Sequence, residues 1–213
     1  MAGDLNLALQ LAQYYTWDQQ HGYTLGGMGH PDFDCSGFVG RCLNEAGFNY
    51  PAFHVGTWNM TSLGDNRLVL AGFKELRHTS SNPVTLQHGD IVVLNHTLTT
   101  GGHTFFYAEN ITAYTDPSAD NDTVGTVSRA KIEASDDRGE TSSGDHRKGG
   151  TGAYWEVWTH AFYDPYYNNY DPSDPNDYIN IYRLDYTDIN SLIGAVLMSL
   201  PTFITNRRKR RGF

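Results

Sequence analysis

Charge and cysteine are what this chain of 213 residues has least of. Asp, Glu, Lys and Arg together make up 18% of it, too little for a disordered polyampholyte or a coiled coil. Two cysteines, Cys35 and Cys42, are too few for a disulfide framework. Seven positions apart in one expected helix, they point along it rather than bridge, so both are read as reduced thiols. Basic residues are scarce outside one place. Five of the fifteen form the run Arg207-Arg208-Lys209-Arg210-Arg211, which leaves residues 1–206 with ten basic and twenty-four acidic side chains, a balance of −14 within a net charge of −9. Such a body repels phosphates and has no basic stripe, which argues against nucleic acid as a partner other than through that run. No apolar stretch reaches the roughly 20 residues of a spanning helix. Met1-Ala2-Gly3-Asp4 opens no basic and then apolar leader, so no secretory signal is expected. Metal spacings are missing too: there is no His-x-x-x-His on a helix, no Cys-x-x-Cys and no calcium-loop pattern, while the Asp-rich stretches 116–122 and 171–177 read as turns. No metal and no cofactor is expected.

What is present is aromatic and glycine-rich: 13% Phe, Trp and Tyr, and 22 glycines. A domain of this length buries roughly 70% of its unfolded surface, so a real core is available. Leu5, Ala8, Leu11, Ala12 and Tyr15 fall on one helical face over 4–15, with Asp4 placed to cap it. From Cys35 the apolar positions Phe38, Val39, Cys42, Leu43 and Ala46 keep the same period until Gly47, which predicts a second, buried helix with Cys35 at its start. Residues 48–87 show weak periodicity and read as a short helix over Thr57–Leu63 followed by loops. Strand patterns then appear at 91–94, 103–108, 126–134, 154–158 and 178–186, separated by polar loops at 115–125 and 135–152. Helices first and antiparallel strands afterwards predict an α+β layer architecture. Beyond 186, Ile189, Leu192, Ile193, Val196, Leu197, Leu200, Phe203 and Ile204 form one helical stripe of about 17 residues, interrupted by Pro201, ahead of the basic run. The expected organisation is a domain over 3–186 and an amphipathic helix with basic tail over 187–213. That tail fits a membrane interface, a groove on a partner, or its own domain.

A cysteine at a helix N-terminus is where a thiol acquires chemistry, because unpaired backbone N–H groups and the helix dipole favour the thiolate. Cys42, on the apolar face, reads as a small buried hydrophobe. His103, behind Gly101-Gly102 and heading an apolar strand, is the candidate base; an ordinary surface histidine is its bland alternative. Trp155, Trp158, Tyr163, Tyr166, Tyr167 and Tyr170 could line a glycan or peptide groove, although tryptophan on a strand is more often core.

Tyr23-x-x-Gly26-Gly27, then Phe33-Asp34-Cys35-Ser36-Gly37-Phe38-Val39, then Gly89-Asp90 and Gly102-His103 resemble the NlpC-type papain-like cysteine peptidases that cut cell-wall peptides. The resemblance runs over about residues 5–184 and is nearest to the peptidoglycan amidohydrolases of bacteriophages, whose Gly-Asp-rich loop is similar to Ser143-Gly144-Asp145-His146. It implies a papain-like fold, Cys35 as nucleophile and His103 as base. It also implies an oxyanion site made by the Cys35 N–H and the Tyr23 hydroxyl, with Asp34 and Ser36 at the rim binding the peptide stem. Asp34 as N-cap and Ser36 as a first-turn residue are the plain alternatives. Relatives often follow the base strand with His-Ala-Ser, whose histidine orients the base. Here the nearest equivalent is Glu133-Ala134-Ser135, thirty residues after His103 and beyond an apparent insertion over 111–127. Glu133 is taken as the third residue, ahead of Glu109, Asn110 and Asp145, with an exposed strand-edge glutamate as the alternative.

The implied activity is cysteine-dependent hydrolysis of an amide in the peptidoglycan stem, as endopeptidase or amidase. Its setting would be a phage virion or the host cell wall, with virion tail proteins or a membrane surface as partners of 187–213. A wall-binding or structural virion protein without activity, and a thioester acyltransferase, are the other readings.

Overall fold

The computed structural model describes residues 3–17, 21–30, 32–79, 82–95, 102–114, 124–135, 152–157 and 178–185. Helix α1, Leu5–Trp17, forms where the apolar spacing predicts it. Asp4 caps it, its carboxylate accepting the Leu7 N–H at 3.1 Å. The buried stripe runs Leu5, Ala8, Leu9, Ala12 and Thr16, with Leu11 and Tyr15 at its edge. Helix α2, Cys35–Glu45, buries Phe38, Val39, Cys42 and Leu43. It ends in a Schellman turn: the Gly47 N–H meets the Asn44 carbonyl and the Phe48 N–H meets the Leu43 carbonyl, with Gly47 at φ 83.

The stretch 48–87 corrects the expectation of one short helix and loops. It contains α3, Thr57–Met60, α4, Arg67–Leu70, and a strand β1, Phe73–His78. Five further strands follow: β2, Ile91–Asn95; β3, His103–Tyr114; β4, Val124–Ser135; β5, Gly152–Val157; and β6, Tyr178–Leu184. They form one sheet in the order β1-β6-β2-β3-β4-β5, antiparallel at every pairing. Helices packed on an antiparallel sheet make this the expected α+β class. Residues 111–114 and 124–127, read from the sequence as part of an insertion, instead lengthen the β3–β4 ladder, from Ile111 opposite Val127 to Tyr114 opposite Val124. The expected tail helix over 187–213 and the aromatics Trp158, Tyr163, Tyr166, Tyr167 and Tyr170 lie outside the described residues.

Strand alternation sorts side chains onto two faces. Ile91, Val93, Phe106, Ala108, Ala130, Ile132, Ala134 and Tyr182 pack beneath α1 and α2 in the main core. Val92, Leu94, Phe105, Tyr107, Ile179 and Ile181 form a second cluster on the opposite face. Both faces of β2 are therefore buried, which explains its unbroken Ile-Val-Val-Leu run. The turn before β2 is tied to β6 by Arg183. Its Nε and a terminal nitrogen bind Asp90 Oδ1 and Oδ2 at 2.9 and 2.8 Å, and the same terminal nitrogen donates to the Thr85 carbonyl at 2.8 Å. Asp90 is buried, so Arg183→Ala strands a carboxylate away from water. A loss of about 3 kcal/mol in urea unfolding is expected, against a few tenths if the pair were a surface ornament.

Candidate active site

Helix α2 begins on a carboxylate whose hydrogen bonds are all taken within the chain. Asp34, extended at φ −99 and ψ 177, caps the helix by accepting the Gly37 N–H. Its Oδ1 receives Gly37 N at 2.6 Å and Ser36 Oγ at 3.0 Å, while Oδ2 receives Gly26 N at 2.8 Å and His54 Nε2 at 2.7 Å. Four donors use the four lone-pair positions of a carboxylate. Asp34 and Ser36, expected at the rim, are each only 3% exposed. The polar group that stands at the surface there is His54, 34% exposed, whose Nε2 also lies 3.2 Å from Ser36 Oγ. The sequence reading missed His54. It lies in an aperiodic loop, and its only signal is a histidine between Phe53 and the Val55-Gly56 turn into α3.

Two glycines let the surrounding chain close on Cys35. A Cβ on Gly37 would sit 1.9 Å from the Gly27 carbonyl oxygen, so only glycine lets the 24–29 loop reach Asp34. A Cβ on Gly102 would sit 2.3 Å from Thr57 Oγ1 and 2.9 Å from the Leu94 carbonyl. That close packing brings the Gly102 carbonyl to 3.8 Å from Cys35 Sγ and delivers His103 beside it. Tyr23 bridges Phe33, two positions before Cys35, and is half-buried against the core.

His103 Nε2 lies 2.5 Å from Glu133 Oε2, with Glu133 1% and His103 14% exposed. Extending the β3–β4 ladder one step beyond the Phe106–Ile132 pair sets position 105 opposite 133. Glu133 therefore reaches His103 on the diagonal, one residue pair along the same sheet face. A carboxylate only accepts, so Nε2 carries the proton towards Glu133, and the Cys35 thiol is the other group that acts on the ring. Burial by itself pulls the imidazole down. The Glu133 charge, the Cys35 contact and the Glu133 hydrogen bond outweigh it and hold His103 well above the ordinary 6.5. Cys42 is fully buried, and burial pushes its thiol well above the ordinary value; it has no nucleophilic form at neutral pH.

Of the other candidates for the third position, Glu109 lies six residues along β3 from His103, about 20 Å away at the usual strand rise, and accepts from the Tyr107 hydroxyl at 3.0 Å. Asn110, at φ 54, is one residue further. Asp145 lies outside the described residues. Among the described residues no three of His, Cys, Asp and Glu are grouped to hold a metal.

The arrangement as a whole is a thiol at a helix N-terminus, an imidazole on that thiol and a buried carboxylate on the imidazole. The NlpC/P60 family model matches residues 20–137, more than half of the chain, and spans all of these groups. A search of curated proteins finds no match.

Two outcomes follow from this geometry. Gly37→Ala should lose about 1–3 kcal/mol in urea unfolding by overpacking against the Gly27 backbone, with activity falling as the loop leaves Asp34. Glu133→Gln removes what holds His103 protonated in the fold. A raised histidine stabilises fully below its unfolded value, about 6.5, and loses that contribution as pH rises through the folded value. The deficit of Glu133→Gln against wild type in denaturant unfolding should therefore shrink as pH rises from about 6 through the raised folded-state value of His103; a constant deficit contradicts the assignment.

Proposed function

The chain belongs to the NlpC/P60 family, and from that premise we propose that Cys35, His103 and Glu133 cleave an amide bond of the peptidoglycan stem peptide. Members of the family are generally cysteine peptidases and amidases acting on peptidoglycan. The observation that carries the reading is the buried His103–Glu133 pair, with the Cys35 thiol at the start of α2 against the Gly102 carbonyl, one residue before His103.

In this mechanism His103 Nδ1 takes the thiol proton. Imidazolium forms beside Glu133, which stabilises it and fixes the ring without taking the proton. The thiolate attacks the amide carbonyl carbon. Negative charge gathers on the carbonyl oxygen, where the Cys35 N–H, without an acceptor inside the first helical turn, and the Tyr23 hydroxyl are the donors. His103 returns its proton to the leaving amine, a thioester remains on Cys35, and His103 then activates the water that hydrolyses it. Asp34 shapes the site by fixing the first turn of α2 and the glycine loop, and His54 is the polar side chain presented to the stem peptide next to the nucleophile.

The finer reading is an endopeptidase or amidase encoded by a phage, acting from a virion or as a free lysin at the host cell wall. Residues 187–213 would attach it to a tail protein or an anionic membrane. The resemblance to phage amidohydrolases over about residues 5–184 and the apolar stripe ahead of five basic residues support it.

Purified protein and Cys35→Ala, incubated with peptidoglycan and followed by mass spectrometry of new termini, test the activity. Release by the wild type alone is expected. Release by both or by neither overturns it, and fragments joined to an added amine show transfer instead of hydrolysis. Glu133→Gln should lower kcat by about 10²–10⁴-fold with a smaller change in KM. Deleting 187–213 should leave turnover of soluble wall fragments intact and abolish attachment.

A further inference from the structure

We propose that Lys131 is a positioning residue for this reaction: it occupies the second oxygen of Glu133, keeps that carboxylate ionised in the interior, and limits its pull on His103. The inference rests on the catalytic reading of Cys35, His103 and Glu133. Strand β4 places 131 and 133 on one face, the face that β3 presents through His103 and Phe105. Lys131 Nζ lies 3.4 Å from Glu133 Oε1, while Oε2 is on His103. The lysine is only 10% exposed and its ammonium stands 5.3 Å from the centre of the Phe105 ring, a cation–π distance.

Buried lysines are rare unless paired, because the ammonium gives up strong hydration. This one is paired with the carboxylate that binds the base. Among the described residues, His103 on β3 and Cys35 on α2 are ionisable groups brought to this pair, and in the β5 register Tyr154 is the position opposite Glu133 and Glu156 the one opposite Lys131. Strand β2 is Ile-Val-Val-Leu-Asn and brings none. Arg129, two positions along β4, donates from Nε to the Tyr107 hydroxyl at 3.1 Å.

A carboxylate bound only to His103 would stabilise imidazolium without counterweight. The base would then release its proton reluctantly, both to the leaving amine and when it must activate water. A cation on the far oxygen disfavours imidazolium, and like charges several ångströms apart at an effective dielectric of 20–40 interact by about one to two pH units. Lys131 thus acts on the proton affinity of His103 through the carboxylate they share.

The test is the titration of the His103 ring by NMR in full-length Cys35→Ala protein, compared with Cys35→Ala/Lys131→Met and Cys35→Ala/Lys131→Arg. The Met variant should titrate about one pH unit or more higher, and the Arg variant within a few tenths of the lysine parent. In the active protein the alkaline limb of kcat/KM on peptidoglycan fragments should move in the same direction and be restored by Lys131→Arg. No shift, a downward shift, or equal shifts in Met and Arg overturn the proposal. If Lys131→Met fails to fold, Lys131→Gln carries the same expectation. Because the NMR reading needs no turnover, a shifted titration in a protein that never cleaves peptidoglycan sinks the hydrolase reading and leaves only the electrostatic effect of Lys131 on His103 standing.

Discussion

The contact between His103 and Glu133 is the constraint around which the site is built. Both groups are nearly removed from water, and a buried ion pair recovers its desolvation cost only with good geometry and further partners. The sheet supplies the geometry. The β3–β4 ladder holds the two residues on one face along a diagonal, so their separation is fixed by backbone pairing and not by a loop. Further partners come from Lys131 on one side and Cys35 on the other. A short or frayed hairpin could not hold such a pair, and the ladder here continues well past the site, to Tyr114 and Val124.

Cys35, the proposed nucleophile, is set beside that pair by a second buried carboxylate. Asp34 gathers the helix start, the glycine loop and His54 onto one group. Gly37 and Gly102 let backbone approach on either side of Cys35 more closely than any side chain permits. Helix α2 is anchored at its far end by the Gly47 turn and along its length by Phe38 against Phe106, ring centres 6.4 Å apart. Neither Cys35 nor His103 therefore depends on a flexible tip for its position, which is what a reaction sensitive to tenths of an ångström requires.

Much of this was legible in the sequence, for reasons that can be named. Helices α1 and α2 carry clean 3.6-residue periods, β2 and the start of β3 show as short apolar runs, and Asp4, Asp34 and Gly47 sit at the ends they punctuate. Strand β1 was not legible. Its two buried ends, Phe73 and His78, are five residues apart, an odd spacing that breaks alternation, and its middle is Lys-Glu-Leu-Arg. It is an edge strand held by pairing to β6, and pairing across more than a hundred residues leaves no local mark. The outer end of the hairpin reads as part of an insertion over 111–127, although the strand pattern starts at Thr126, because the Asp-, Asn- and Ser-rich sequence 115–123 masks the Ile111–Tyr114 and Val124–Gly125 segments. Glu133 could be nominated because a family pattern placed a small motif near it, whereas His54 and Lys131 belong to no motif. Their roles come from where the fold sends Oδ2 of Asp34 and Oε1 of Glu133, information that exists only in three dimensions.

The charge distribution separates the chemistry from the surface. Residues 1–206 carry −14, and anionic wall polymers repel such a body over a Debye length of about 8–10 Å. The charges that act on the base are different in kind. Glu133 and Lys131 are paired in the interior, and in the proposed mechanism the proton moved from Cys35 to His103 creates a thiolate and an imidazolium together, so the site's net charge is unchanged. Salt screens exposed charges far more than buried pairs. Ionic strength therefore acts on the encounter between enzyme and wall, while the proton affinity of His103 remains a property of the sheet.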